Sequence, residues 1–416
     1  MSPHTVLRKP AARRSRGISL VEVMVGLAVG MIASLIVLRS FSASESFRRT
    51  LGGTADVVQS ASIVGNRLEV LLEEAGASFV QGRNVWGCTL KATRANTQLL
   101  PAASFPEPFA AFPGTVRVLP VGIKNGGNAG SDLIVVMAGG SPAGNRDMPY
   151  ASDLEKQGTF MSFKNTIGFG LKTAGQPVDD LFLSVPMEVD KPGDCQIVQA
   201  ASDFSNGTPV TNASLGLKVI PAAAAVVAPA SYTVVKLNAA ASSYGLLAST
   251  TNSPSAFHLG REANPVFSLL GINANSELVE FDLLQRRGVQ AFGENVVLLK
   301  ALYGLDNGAN GGLANDNVID EWVSPSAAGW DVSDLMDGKA VTQQKIDQIK
   351  AIRVGVVLRS SRATTADAKT TQLVLFQDLG DSKKVTRDLS GTDQLYVYQV
   401  FDWVVPLRNM KSIPKS

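Results

Sequence analysis

The sequence predicts an α+β fold: one long N-terminal helix, membrane-spanning in its first half, packed on a large antiparallel β-rich domain. Three observations predict it. Ile18 to Leu38 is an apolar run interrupted by a single charge, Glu22. Val57, Ala61, Val64, Leu68, Leu71 (or Leu72) and Ala75 then recur at helical spacing. From residue 77 onward, short β-rich runs alternate with Gly, Pro, Asn and Asp clusters.

Residues 1–17 form a leader with five basic residues, Arg8, Lys9, Arg13, Arg14 and Arg16, and no acid. Residues 18–38 would make a helix about 31 Å long, enough to cross the hydrocarbon of a bilayer. Basic flanks stay on the cytoplasmic side, so the chain after Arg39 is expected outside. Gly26 and Gly30 are one small-xxx-small step, which lets a neighbouring helix approach closely.

Glu22 is the anomaly in that segment. An acid at mid-membrane costs about 2.5–3.5 kcal/mol, less toward the edge, so it needs a partner. A secretory signal peptide cut near Ser42 and Ala43 is one rival reading, but its apolar core is shorter, at about 7–15 residues. A plain uncleaved anchor explains the length and leaves Glu22 without a reason. Cleavage after Gly17 would free an amine on Ile18, one helical turn away. In a bundle of such helices, Glu22 of one subunit could neutralise the amine of another.

The outer half of the helix is expected to reach about residue 76, with Gly52-Gly53 as a break or kink and Gly76 as the C-terminal cap. Strands are predicted at Val116–Val121, Leu133–Met137, Leu181–Val185, Tyr232–Leu237, Glu277–Asp282, Val296–Tyr303, Ala351–Leu358, Thr371–Phe376 and Leu395–Val405. Gln343–Ile349 is expected as a short helix. An insertion is expected around 141–290, which includes the low-complexity tract PAAAAVVAPAS at 221–231.

Composition narrows the function classes. Charged residues are 18% and aromatics 6%, an unpromising surface for nucleic acid. The formal charge is +2, and removing the five basic residues of the leader leaves −3. The basicity therefore belongs to the leader. Cys88 and Cys195 both fall in the outer part, where a disulfide would persist and would close a loop of about 100 residues. Two separate buried thiols are the other reading.

Sites for chemistry are sparse. His4 lies in the leader, which leaves His258; the string GGSPAG at 139–144 misses the G-x-S-x-G spacing. His258 reads as a packed or surface residue, and no catalytic residue is expected. The loop LDNGANGGLANDNVIDEW at 305–322 offers oxygen ligands for calcium in Asp306, Asp316 and Asp320. The same Asn, Asp and Gly residues build hairpin turns without metal, and that is the expectation, with no cofactor. Lys350, Arg353, Arg359 and Arg362 could contact DNA, but they lie along a strand without interleaved aromatics and read as a solvated face.

The leader, Gly17, Ile18 and the following Ser-Leu-Val-Glu resemble the class III signal of type IV prepilins, although Ile18 stands where that family usually has Phe. SDLIVVMAGG (131–140), ENVVLLKALYGLDNG (294–308), IDEW (319–322), KIDQIKAIRVGVVLRSS (345–361) and YQVFDWVVPLRNM (398–410) resemble, in order, the PilW family of large minor pilins. The resemblance implies a pilin-like fold, prepilin-peptidase cleavage between Gly17 and Ile18, N-methylation of Ile18, and an assembly role for Glu22. It implies a non-enzymatic subunit that primes type IV pilus assembly at or near the tip. Implied partners are other minor pilins, the major pilin, the prepilin peptidase, an inner-membrane assembly platform and a tip adhesin, with no nucleic acid. The implied location is the inner membrane with a periplasmic C-terminal domain, then the pilus fibre. A minor pseudopilin of type II secretion shares the leader and helix. A membrane-anchored periplasmic enzyme or binding module is the alternative of another class.

Overall fold

The computed structural model describes residues 19–78, 85–95, 97–127, 130–142, 144, 147–149, 160–163, 168–169, 180–185, 193–200, 233–236, 255–284, 287–361, 363 and 369–412. The tract at 221–231 and much of the 141–290 insertion lie outside them. The chain forms two compact units, Met1–Gly53 and Thr54–Ser416. One helix, Leu20–Glu73, runs through the boundary. The expected break at Gly52-Gly53 is therefore not an interruption of the helix. A helical glycine costs only about 1 kcal/mol relative to alanine, and a 54-residue helix absorbs two.

In the first unit, Leu20–Ser42 is a 23-residue span long and apolar enough to cross a membrane, and none of it is buried. In the second unit, the predicted stripe is the buried face. Val57, Ala61, Val64, Leu68, Leu71, Leu72 and Ala75 are all 9% exposed or less. They join one core with residues of all three large sheets, including Leu183, Leu269 and Val354. Gly293 explains part of the close fit. A Cβ there would collide with Cγ2 of Val64, so the strand can meet the helix only with hydrogen at that position.

The helix end is satisfied from far along the chain. Its last carbonyls have no intrahelical donor. Asn409 Nδ2 lies 3.2–3.4 Å from the carbonyl oxygens of Glu73, Glu74 and Ala75. Arg408 Nη2 donates to Glu73 Oε1 at 2.9 Å, a cation where the helix dipole is negative. Gly76 sits at φ +77° and donates to Met137 O, as a helix-ending glycine does.

Three large sheets and two two-stranded ones follow among the described residues. A six-stranded sheet runs in the order Thr97–Leu100, Thr89–Arg94, Asp194–Gln199, Asp180–Val185, Ser255–Arg261, Asp147–Pro149. Its Thr89–Arg94 and Asp194–Gln199 strands pair in parallel, in a domain whose other described strand pairs are antiparallel. Cys88 and Cys195 are bridged across that pair, with Cα atoms 5.6 Å apart. A five-stranded antiparallel sheet orders Gln290–Gly293, Leu278–Asp282, Val266–Ile272, Leu133–Ala138 and Val121–Lys124. A four-stranded antiparallel sheet orders Glu321–Val323, Val296–Leu305, Ile349–Arg359 and Tyr398–Pro406. A small hairpin, Gln372–Leu375 with Val385–Asp388, contributes Leu373 and Leu375 to a second core over Leu298, Leu302 and Val357.

Two strand expectations shift. Val116–Val121 is not one strand: Arg117 makes an isolated bridge to Thr89, and a separate strand, Val121–Lys124, pairs with Leu133–Ala138. Pro120 intervenes and has no N–H to donate. Leu395–Val405 begins later, at Tyr398, because Gly391–Leu395 turns as a short 3-10 helix. The short helix expected at Gln343–Ile349 spans Ala340–Gln348.

Candidate functional site

The first site is the helix N-terminus. Gly17 and Ile18, the expected cleavage and methylation positions, lie outside the described residues. Glu22 sits in the first helical turn and is exposed. Its N–H, and that of Val23, donate to Ser19 O at 2.9 and 3.2 Å, so the turn is formed from the first described residue. A carboxylate there also meets the positive end of the helix dipole. Gly26 and Gly30 have open space where a Cβ would stand, so the small step is bare. The charge, the step and the exposed apolar surface share one segment whose chemistry is suited to packing in a low-dielectric bundle.

The second group joins the blocks that carry the resemblance. Lys300 Nζ donates to Asp132 Oδ1 at 2.7 Å, with both side chains almost fully buried. Gly126 N and Ala301 N donate to the same carboxylate, and Lys300 also reaches Gly127 O. Burial pushes the Asp132 carboxyl up, against the Lys300 charge that pulls it down. Tyr303 is fully buried; its hydroxyl accepts from Ile123 N at 2.6 Å, and burial holds the phenol neutral and high. Gln343 Nε2 donates to Trp86 O, which ties the Ala340–Gln348 helix to the start of the domain. The block at 131–140 is thus locked to 294–308, a pairing that neither block reveals alone.

The loop after Leu305 is the predicted hairpin connection, since Leu305 pairs with Glu321. Asp306 is fully buried and accepts from the N–H groups of Asn315, Asp316 and Asn317. Asp320 accepts from Asn307 N and Gly308 N, and Asp316 from Val318 N. Asn310, Asn315 and Asn317 hold φ between +53° and +65°, the left-handed tolerance the sequence suggested. The carboxylates weighed as calcium ligands thus accept from backbone amides within the loop. Among the described residues, no group of three or more His, Cys, Asp or Glu side chains comes together as a metal site.

The cations at 350–359 are not a solvated face. Lys350 is buried and donates to Met410 O at 2.9 Å; burial lowers its pKa. Arg353 forks onto Asp402 and Asp378 with bonds of 2.6–2.8 Å. Those charge-assisted bonds raise its guanidinium pKa further. Arg359 lies 4.7 Å over the Tyr396 ring. Arg362 lies outside the described residues. The reason for the difference is pairing: the 377–402 segments bring acids to Arg353 and Arg359, and Met410 brings a carbonyl to Lys350.

His258 is packed, as expected, yet in company that the sequence did not suggest. Its Nδ1 is 2.7 Å from Ser141 Oγ, and its Nε2 is 3.5 Å from Asp180 Oδ2. The ring lies against Phe169 and Phe182, with centroids 4.7 and 5.3 Å away. This serine belongs to GGSPAG. The histidine is 2% exposed, and the Asp180 contact is long for an N–H···O bond. The arrangement is a buried polar network within the six-stranded sheet.

Comparison with known proteins agrees with the two ends of the chain. Residues 12–38 match the prokaryotic N-terminal methylation motif. Residues 284–409 match the family described as type IV pilus-assembly protein W, PilW. Four of the five resembling blocks fall in that second stretch, the last running one residue past it; the block at 131–140 falls outside. Neither the search of curated proteins nor that of solved structures gives a match. The signal and the exposed apolar helix mark a membrane-anchored chain, and the matched family is structural rather than catalytic. Over residues 284–409 the chain is similar to the PilW family of type IV pilus-assembly proteins, and over 12–38 to the N-terminal methylation motif of prepilin-type signals.

Proposed function

We propose that this chain is a minor pilin that primes type IV pilus assembly and is carried at or near the pilus tip. The observation that carries the reading is Glu22, an acid in the first turn of the long helix, inside a 23-residue apolar span with no buried surface of its own. An isolated helix of this kind is penalised in the bilayer; a packed one gains a counter-charge. Cleavage after Gly17 supplies that charge as the amine of Ile18, which is then methylated. Glu22 of one subunit takes the amine of another and sets their register, while Gly26 and Gly30 let the helices close. The leader keeps the cleavage point on the cytoplasmic side of the inner membrane, and the β-rich domain faces the periplasm.

Glu22→Ala tests the register role. The variant should be cleaved and folded as before, yet pilus number should fall sharply in cells that carry it as their only copy. Unchanged piliation would remove Glu22 from the assembly mechanism.

A further inference from the structure

Five segments of the second unit converge on a polar cavity of about 360 Å³. The turn at 272–276, the start of Val296–Leu305, the end of Ile349–Arg359, the Gln372–Leu375/Val385–Asp388 hairpin and the 393–398 stretch each contribute. Two guanidinium groups enter it, from Arg359 and Arg387. Arg387 is held in place by one bond, Nη1 to Val297 O at 2.9 Å, which leaves most of its fork unused. Arg359 stacks on Tyr396 and stands beside the Tyr398 hydroxyl.

One acid lines the cavity, Asp393. Its Oδ1 is 3.7 Å from Arg359 Nη1, beyond hydrogen-bond range, and its backbone oxygen takes the Tyr398 hydroxyl proton at 2.8 Å. The lining therefore carries two cations and one anion, with Asn273 and Ser276 as neutral polar neighbours. The electrostatics of Tyr398 agree with this convergence. Burial and Asp393 raise its phenol, while Arg359 and Arg387 both pull it back, so both cations stand near one hydroxyl. The nearby Glu277 is engaged by Asn273 Nδ2 at 2.7 Å.

The largely unbonded Arg387 fork, the Arg359 guanidinium between Tyr398 and Asp393, and a concave polar wall form an arrangement that recognises a carboxylate or phosphate through charge-assisted N–H···O bonds. The volume is at the small end for ligand sites. We propose that the cavity between Arg359 and Arg387 binds a small oxyanion, a carboxylate or phosphate group on a compact ligand.

The test is a calorimetric titration of the full-length protein in detergent. The probes are inorganic phosphate and, separately, succinate, with ionic strength held constant by sodium chloride. At least one should bind saturably with a Kd below about 10 mM. Arg359→Gln and Arg387→Gln should each weaken that binding roughly tenfold, one charge-assisted pair, with the thermal midpoint monitored. Lys384→Gln, outside the cavity, should leave it unchanged. Absence of saturable binding of both anions to the unaltered protein would overturn the proposal. So would equal binding by the Arg359→Gln protein, which does not depend on the Val297 bond that Arg387 makes.

Discussion

Arg67 Nη2 donates to Glu280 Oε2 at 2.8 Å, from the outer half of the helix to the Leu278–Asp282 strand of the five-stranded sheet. The other carboxylate oxygen accepts from Ser268 Oγ at 2.7 Å, so Glu280 is satisfied on both sides. Its side chain is 9% exposed, whereas that of Arg67 is 39% exposed. The pair ties the helix to the sheet by a polar contact beside the buried apolar stripe.

Arg67→Ala should therefore cost about 1–2 kcal/mol, mainly by leaving a nearly buried carboxylate short of a donor. Urea unfolding of the variant checks it. A midpoint equal to that of the unaltered protein would mean that water replaces the arginine at no cost.

Gly293→Ala should cost about 1–3 kcal/mol through overpacking, because the added methyl collides with Val64. Pairing it with Val64→Ala should recover part of the loss, and the double-mutant cycle reads that coupling. Strict additivity of the two losses would contradict the contact.

The disulfide spans 107 positions and joins neighbouring strands. In the chain-entropy model a loop of that length is worth up to ~4.7 kcal/mol. Replacing both Cys88 and Cys195 with Ala should lower stability by several kcal/mol, measured by urea unfolding under oxidising conditions. A loss below about 1 kcal/mol would show that the interface of these strands, and not the bridge, holds them.

Acid sensitivity should localise partly to Asp331. Burial alone would raise its carboxyl, but the N–H groups of Asn125 and Ser333, the Lys124 ammonium and the Ser333 hydroxyl outweigh it and hold it below the usual range. A depressed folded pKa gives stability that is present above the unfolded value, about 4, and is lost as pH falls through the folded one. Asp132 has the opposite sign: its carboxyl is raised, so its contribution falls as pH rises from about 4 through the raised value. Asp331→Asn should flatten the acid limb of stability against pH. An unchanged limb would assign it to other carboxylates, Asp337 among them, which is also held low.

Much of the fold was legible wherever the signal was local. The Val57–Ala75 stripe is buried residue for residue, because helical spacing alone dictates which face meets the core. The strands at 133, 181, 278, 296, 351 and 372 were legible for the same reason. What escaped was pairing. The parallel contact of Thr89–Arg94 with Asp194–Gln199 and the meeting of Asp132 with Lys300 depend on register between distant segments. So does the contact between Ser141 and His258, 117 positions apart. Arg353 looked solvated because its acids, Asp378 and Asp402, are 25 and 49 positions away. At the N-terminus, by contrast, Glu22, Gly26 and Gly30 are placed by spacing along one helix, so the sequence displayed their positions directly.

On the proposed reading, this helix begins as a processed pilin N-terminus. Mass spectrometry of the intact protein purified from cell envelopes tests it most directly. The expected mass is that of a chain beginning at Ile18 with one added methyl group. A chain that begins at Met1, or near Ala43, would contradict it.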